Sequence, residues 1–199
     1  MSEECAIRIA AVGGSVRPGN FTSKALDLVV DEMSSQDEVG VDVIDPSKLD
    51  IALPGRQGSA EDEDRLQQVV SEATGVVIST PEYHGSYSSA INLVIENLGF
   101  PSALAGKPVA LLGVAGGQIG AVKALEHLRS VCSHVGAIVL PGPVSVANVQ
   151  DRFDDAGKCL DEQLEARIRG LVTQLVDYIR DSICPRAALE AYVRAGTAA

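Results

Sequence analysis

Short apolar, β-branched runs bounded by turn residues punctuate the chain at Ile7–Val12, Val41–Asp45, Gly75–Thr80, Val109–Val114 and Ala137–Leu140, and each reads as a buried strand. Between them the apolar positions recur with helical period, at Thr22–Ser34, Glu61–Ala73, Ser89–Leu98 and Ala121–His134. A longer helical stretch, Asp161–Arg180, follows the fifth strand. Ser59 followed by Asp62 resembles a capping box and makes the acidic run Glu61–Asp64 the solvated first turn of the second helix.

Regular alternation of strand and helix favours parallel strands joined by right-handed crossovers, with helices on both faces of the sheet. That is a doubly wound α/β fold, and five units suggest the flavodoxin-like strand order 2-1-3-4-5. Pro141 to Asp161 shows no period and holds two prolines and two glycines, so it is expected to be a surface connection. Residues 1–183 are expected to form one domain, and 184–199 a tail or short extra helix.

Composition narrows the function. The 199 residues carry a formal net charge of −11, which repels nucleic acid and anionic membranes, so any anion site must be built from local groups. No apolar run reaches the roughly 18 residues that span a bilayer, and Met1 to Ala6 has no basic leader region, so a cytoplasmic location is expected. Cys5, Cys132, Cys159 and Cys184 have neither C-x-x-C spacing nor histidines at zinc-ligand spacing; they are read as reduced thiols, with no metal site. His127 and His134 recur on one helix without a third ligand and read as an ordinary helix face.

In an open parallel sheet, ligands bind beyond the carboxyl ends of the strands where the strand order reverses. The loop after the first strand, Gly13-Gly-Ser-Val-Arg-Pro-Gly-Asn-Phe-Thr-Ser23, leads straight into a helix. Its glycines let backbone approach a ligand, Ser15, Asn20, Thr22 and Ser23 offer donors, and Arg17 offers a fixed fork of charge beside the unpaired N–H groups of the helix start. The set complements a phosphate dianion; the alternative is a plain strand-to-helix turn capped by Thr22 or Ser23. Neither G-x-G-x-x-G nor G-K-[ST] is present, which disfavours dinucleotide and nucleotide-hydrolase loops. The loop after the third strand, Thr80-Pro-Glu-Tyr-His-Gly-Ser-Tyr-Ser-Ser89, places Tyr83 and Tyr87 in one turn, as contact with a flat ligand would require. The third loop, Ala115-Gly-Gly-Gln-Ile-Gly120, offers backbone amides and little bulk beside a ring edge.

Taken together, Gly14-Ser-x-Arg17, Pro81-Glu-Tyr-x-Gly-Ser-Tyr87 and Gly116-Gly117 resemble the NADPH-dependent FMN reductase family, which includes quinone, azo-dye and chromate reductases, and the resemblance runs from about Ile7 to Arg180. It implies FMN as bound cofactor, NADPH or NADH as hydride donor and a small-molecule electron acceptor. By motif position, Ser15, Arg17, Asn20 and Thr22 would hold the phosphate, with Phe21 among the cofactor-binding residues. Pro81, Glu82, Tyr83, His84 and Gly85 would lie along the isoalloxazine, and Ala115, Gly116 and Gly117 would approach its pyrimidine side. His84 is the one candidate for a direct catalytic role. Asn20 and Thr22 stand where the family commonly has Ser and Asn, and both keep a donor. Asn92-Leu-Val-Ile-Glu-Asn97 departs from the family's pattern in a helix near its dimer contact. The resemblance also implies a homodimer or tetramer; a flavodoxin-type electron carrier or a flavin-binding redox sensor is the alternative reading.

Overall fold

The computed structural model describes residues 6–36 and 38–197. Strands β1 (Ile7–Gly13), β2 (Val39–Ile44), β3 (Gly75–Pro81) and β4 (Pro108–Val114) alternate with helices α1 (Phe21–Ser34), α2 (Ala60–Glu72), α3 (Ser89–Glu96) and α4 (Val122–His134). Two short strands, β5 (Ile138–Val139) and β6 (Val144–Val146), precede α5 (Glu162–Tyr178). All pairings are parallel, in the order β2-β1-β3-β4-β5, with β6 also on β4. The expected strand order is thus the observed one.

The sheet is two-sided, as its apolar runs require. Every residue of β3 and of β4 is buried, so both faces must be covered. On one face Ile9, Val77 and Leu112 pack with Val29 of α1 and Ile168, Val172 and Leu175 of α5. On the other, Ala10, Ile78 and Leu111 pack with Leu66 of α2, Ile91 and Val94 of α3 and Leu128 of α4. Two strand glycines set how closely helices approach. A Cβ on Gly75 would lie 2.8 Å from Ile179 Cδ1, and one on Gly113 2.7 Å from the Ala121 Cβ, so α5 and α4 settle onto bare backbone.

Capping follows the sequence with two adjustments. Ser59 Oγ accepts from Asp62 N–H, but the Asp62 carboxylate accepts from Asp50 N–H, which ties the preceding loop to the start of α2 instead of closing a reciprocal box. At the far end of that helix, Lys107 Nζ donates to the carbonyls of Ser71 and Ala73 at 2.9 and 2.6 Å, a cationic C-cap. Burial holds the Lys107 ammonium below the usual lysine range.

Pro141 to Asp161 is not a featureless connection. Pro141 and Gly142, the latter at φ +73°, interrupt the fifth sheet position, and the sheet resumes at Val144–Val146 in register with Leu112–Val114. Val144, Val146, Val149 and Phe153 are all buried. A three-residue strand is too short to show a period, which is why the pattern gives no sign of it. Beyond Tyr178 the helix widens into a π segment, Ile179–Ile183, and continues as α6 (Cys184–Thr197), so 184–197 is helix rather than frayed tail. Leu189, Tyr192 and Val193 on it are exposed.

Cys132 and Cys159 are free thiols, as expected, whereas Cys184 is disulfide-bonded and corrects that expectation. Pairing depends on proximity in the fold, which spacing along the chain does not reveal. Cys5 lies outside the described residues. No helix among the described residues is long and apolar enough to cross a membrane, and no metal-ligating cluster is found among them.

Two outcomes follow from this packing. Leu175 is fully buried between α5 and the sheet, so Leu175→Ala should lower unfolding free energy by about 3 kcal/mol in urea titrations. Burial pushes the Cys132 thiol up to about 12. The unfolded thiol ionises near 8.5, so this contribution to stability is complete below that pH and is lost as pH rises from roughly 8.5 towards 12. Cys132→Ala should therefore show a shallower alkaline decline in stability than the parent, measured by denaturant melts across that range.

Candidate functional site

β1 delivers Gly14 against the end of β3 so closely that an added Cβ would lie 2.5 Å from the Ser79 carbonyl oxygen and 2.8 Å from Ile91 Cγ1. Only a glycine fits between backbone and core here. Ser88, the N-cap of α3, locks the contact by donating its hydroxyl to Gly14 O at 2.6 Å. The first and second loops are thereby fixed side by side at the carboxyl edge of the sheet.

The first loop then turns into α1 under the control of Asn20. Asn20 Oδ1 accepts from Ser23 N–H at 2.8 Å, and its Nδ2 donates to Arg17 O at 2.7 Å and to Ser23 Oγ at 3.0 Å. The N-cap is thus Asn20, not Thr22 or Ser23. Its side chain is committed to shaping the loop and leaves the ligand-facing work to others. No capping bond uses the N–H groups of Phe21 and Thr22, the first two positions of α1, and they carry the positive end of the helix dipole. Ser15 is buried behind the loop, where its Oγ accepts weakly from Arg17 N–H at 3.4 Å.

In the second loop Tyr83 N–H donates to Ser86 O and Ser86 N–H to Tyr83 O, both at 3.0 Å. His84 and Gly85 between them have φ +52° and +73°. This is a two-residue hairpin with the type I′ turn, which demands positive φ at both central positions. Glycine takes that conformation freely, and histidine is among the few other residues that tolerate it. The turn holds His84 exposed at its tip. Glu82 points the other way: its N–H donates to Val114 O at 2.8 Å, and its carboxylate accepts from Ala124 N–H at 3.1 Å. α4 has no cap of its own, so Glu82 caps it from a neighbouring loop. Tyr87 donates its hydroxyl to Asn92 Oδ1 at 2.9 Å and packs on Ala115, Ala121 and Ala124.

These loops enclose a cleft of about 370 Å³, lined by Arg17 to Thr22 of the first loop and by Pro81, Glu82, Tyr83, Val114, Gly116, Val149 and Gln150. The Arg17 guanidinium lies over the Tyr83 ring, 4.8 Å from its centroid. Of the residues expected at a ligand site, Arg17, Asn20, Phe21, Thr22, Pro81, Glu82, Tyr83 and Gly116 line the cleft; Ser15, His84, Gly85, Ala115 and Gly117 are not among its lining residues. Pro18, Gly19 and Val114 join from within the expected loops or beside them. Val149 and Gln150 come from the segment expected to be a surface connection, and nothing local in the sequence marks them. A second depression, about 330 Å³ between β2 and α2, is lined by Asp42, Asp45, Lys48 and Arg65. Asp42 pairs there with Arg8 and Asp45 with Lys48, and none of the depression's lining comes from the three motif loops.

Residues 7–151 match the family model described as NADPH-dependent FMN reductase. The chain belongs to that family. Like other members, it is similar along its length to curated proteins: 26% identical over 183 residues to an NAD(P)H-dependent FMN reductase of Pseudomonas aeruginosa, covering 87% of this chain and 96% of that one. It is 27% identical over 186 residues to a quinone reductase of Escherichia coli K12, covering 90% and 98%. Among solved structures, the flavoenzyme NAD(P)H:(acceptor) oxidoreductase FerB of Paracoccus denitrificans superposes with a TM-score of 0.72 at 23% identity, over 88% of this chain and 98% of that one. This FMN reductase family member has the flavodoxin-like fold.

Asn20→Ala removes the cap of α1 and the lock on Arg17 together, and should cost about 1 kcal/mol of stability, read as a lowered denaturant midpoint with unchanged slope. Asn20→Asp, which keeps the acceptor, should recover most of it.

Proposed function

We propose that the cleft binds FMN and that the protein is an FMN-dependent NAD(P)H oxidoreductase delivering electrons to a small-molecule acceptor of the quinone or azo class. One observation carries this reading. A single cleft brings together anion-directed groups, namely Arg17, Thr22 and the unpaired amides of α1, with the Tyr83 ring beneath the Arg17 guanidinium and the side-chain-free Gly116. The donor set fits a phosphomonoester, and Gly116 and Gly117 leave room for a planar edge against backbone; an added Cβ on Gly117 would meet nothing within 4 Å.

The chemistry that bound FMN supplies is acceptance of hydride from a reduced nicotinamide and donation of electrons to the acceptor. The chain's own residues bind and orient. Arg17 contributes the compensating charge that a protein of net charge −11 must provide locally. Glu82, by capping α4, fixes the angle between the hairpin wall and the Gly116 wall. His84, exposed at the hairpin tip and not among the residues lining the cleft, is not needed for hydride transfer between two rings. The same reading takes the protein to be a cytoplasmic homodimer or tetramer. Exposed Ile119 and Val122, next along the chain from Gly116, and Phe100 after α3 supply apolar surface for a twofold contact.

The first test is a visible absorption spectrum after incubation with FMN and desalting, followed by anaerobic NADPH or NADH in the same cuvette. Retained flavin that bleaches within seconds is expected. Flavin that stays oxidised would point to a carrier or sensor, and a colourless protein would overturn the reading. Arg17→Ala should weaken FMN roughly 10- to 100-fold, the worth of a charge-assisted hydrogen bond, while hardly changing the affinity for riboflavin, which has no phosphate.

A further inference from the structure

The segment after β6 is strapped to the turn that follows β4. Ala115 N–H donates to Val146 O at 2.9 Å, Val149 N–H to Ala115 O at 3.1 Å and Asn148 N–H to Gly117 O at 3.1 Å. Gln150 Nε2 completes the set by donating to Gly116 O at 3.1 Å. Asn148 adopts φ +47° to make the strap turn. The carbonyls of Ala115, Gly116 and Gly117 are therefore all engaged within the protein, and no intramolecular bond among the described residues uses the N–H groups of Gly116 and Gly117. The uncommitted backbone groups of this turn are donors.

A planar imide edge presents the sequence carbonyl, N–H, carbonyl. Two backbone N–H groups suit the carbonyls, but the central N–H needs an acceptor. Gln150 Oε1 is placed to be that acceptor. It lies 3.5 Å from the position of a Cβ on Gly116, Gln150 and Gly116 both line the cleft, and no hydrogen bond among the described residues is made to it. Two other side-chain oxygens at the cleft are already engaged: Glu82 Oε2 accepts from Ala124 N–H and Asn20 Oδ1 from Ser23 N–H. The Nε2 bond to Gly116 O also fixes the orientation of the carboxamide, which leaves the oxygen as its uncommitted atom.

We propose that Gln150 is a ligand-specificity residue whose Oε1 accepts the imide N–H of the flavin pyrimidine ring. The inference rests on the FMN-binding reading above and adds a residue from outside the three motif loops. Gln150 is exposed and touches no core, so its replacement leaves folding intact; thermal melts of each variant confirm this.

The test compares FMN with N3-methyl-FMN, in which the imide N–H is replaced, by fluorescence titration of the flavin-free protein and of Gln150→Met, which keeps length without the carboxamide. Parent protein should bind FMN about 5- to 15-fold more tightly than N3-methyl-FMN, the ratio expected for one hydrogen bond to a group otherwise left unpaired. Gln150→Met should lose that preference, weakening FMN by the same factor and leaving N3-methyl-FMN unchanged. Equal weakening of both ligands would show that Gln150 only buttresses the turn and would overturn the proposal, as would a variant that still discriminates as the parent does. Failure of the parent to bind either flavin would remove the FMN reading itself, and the inference with it.

Discussion

The cleft depends on how closely β1 ends against β3. Gly14 sits where a Cβ would strike both a backbone carbonyl and the side chain of Ile91, and Ser88 holds its carbonyl from the start of α3. That contact is backbone on backbone, so its spacing is set by covalent geometry rather than by adjustable side chains. Everything else is hung from it. The first loop carries Arg17 and the start of α1 to the cleft; β3 runs on into the hairpin at Tyr83–Ser86, and Glu82 passes the alignment to α4. A small shift between the two strands would move the anion-directed groups relative to the flat wall without altering either motif.

Most of the architecture was legible because a doubly wound sheet writes its strands as apolar runs and its helices as periodic stretches. β1, β3 and β4 and all five principal helices fall within a few residues of the positions their patterns predict. The fifth sheet position did not read cleanly, since Pro141 and Gly142 split it into β5 and β6, each too short to have a period. The cysteines misled at Cys184, because pairing is decided by distance in the fold.

The site was legible by loop and less so by role. Asn20 and Glu82 have the residue types expected at a ligand site, yet both spend their side chains on helix caps, one on its own helix and one on a neighbour's. No sequence pattern separates a cap from a ligand donor when both require the same oxygen atoms. Gln150 was invisible for another reason. It lies 34 positions from Gly116 along the chain, and only the sheet, through β6, brings the two together.

The strap on the Ala115–Gly117 turn has an electrical consequence. With each carbonyl hydrogen-bonded inside the protein, the unshared backbone groups of the turn are N–H donors, and they carry partial positive charge with no ionised side chain. An otherwise strongly acidic molecule thus keeps a small region of positive potential at one wall of its cleft. Because this potential comes from backbone rather than from a titrating group, it is constant over the pH range in which the fold is intact, and salt screens it little in a partly enclosed site.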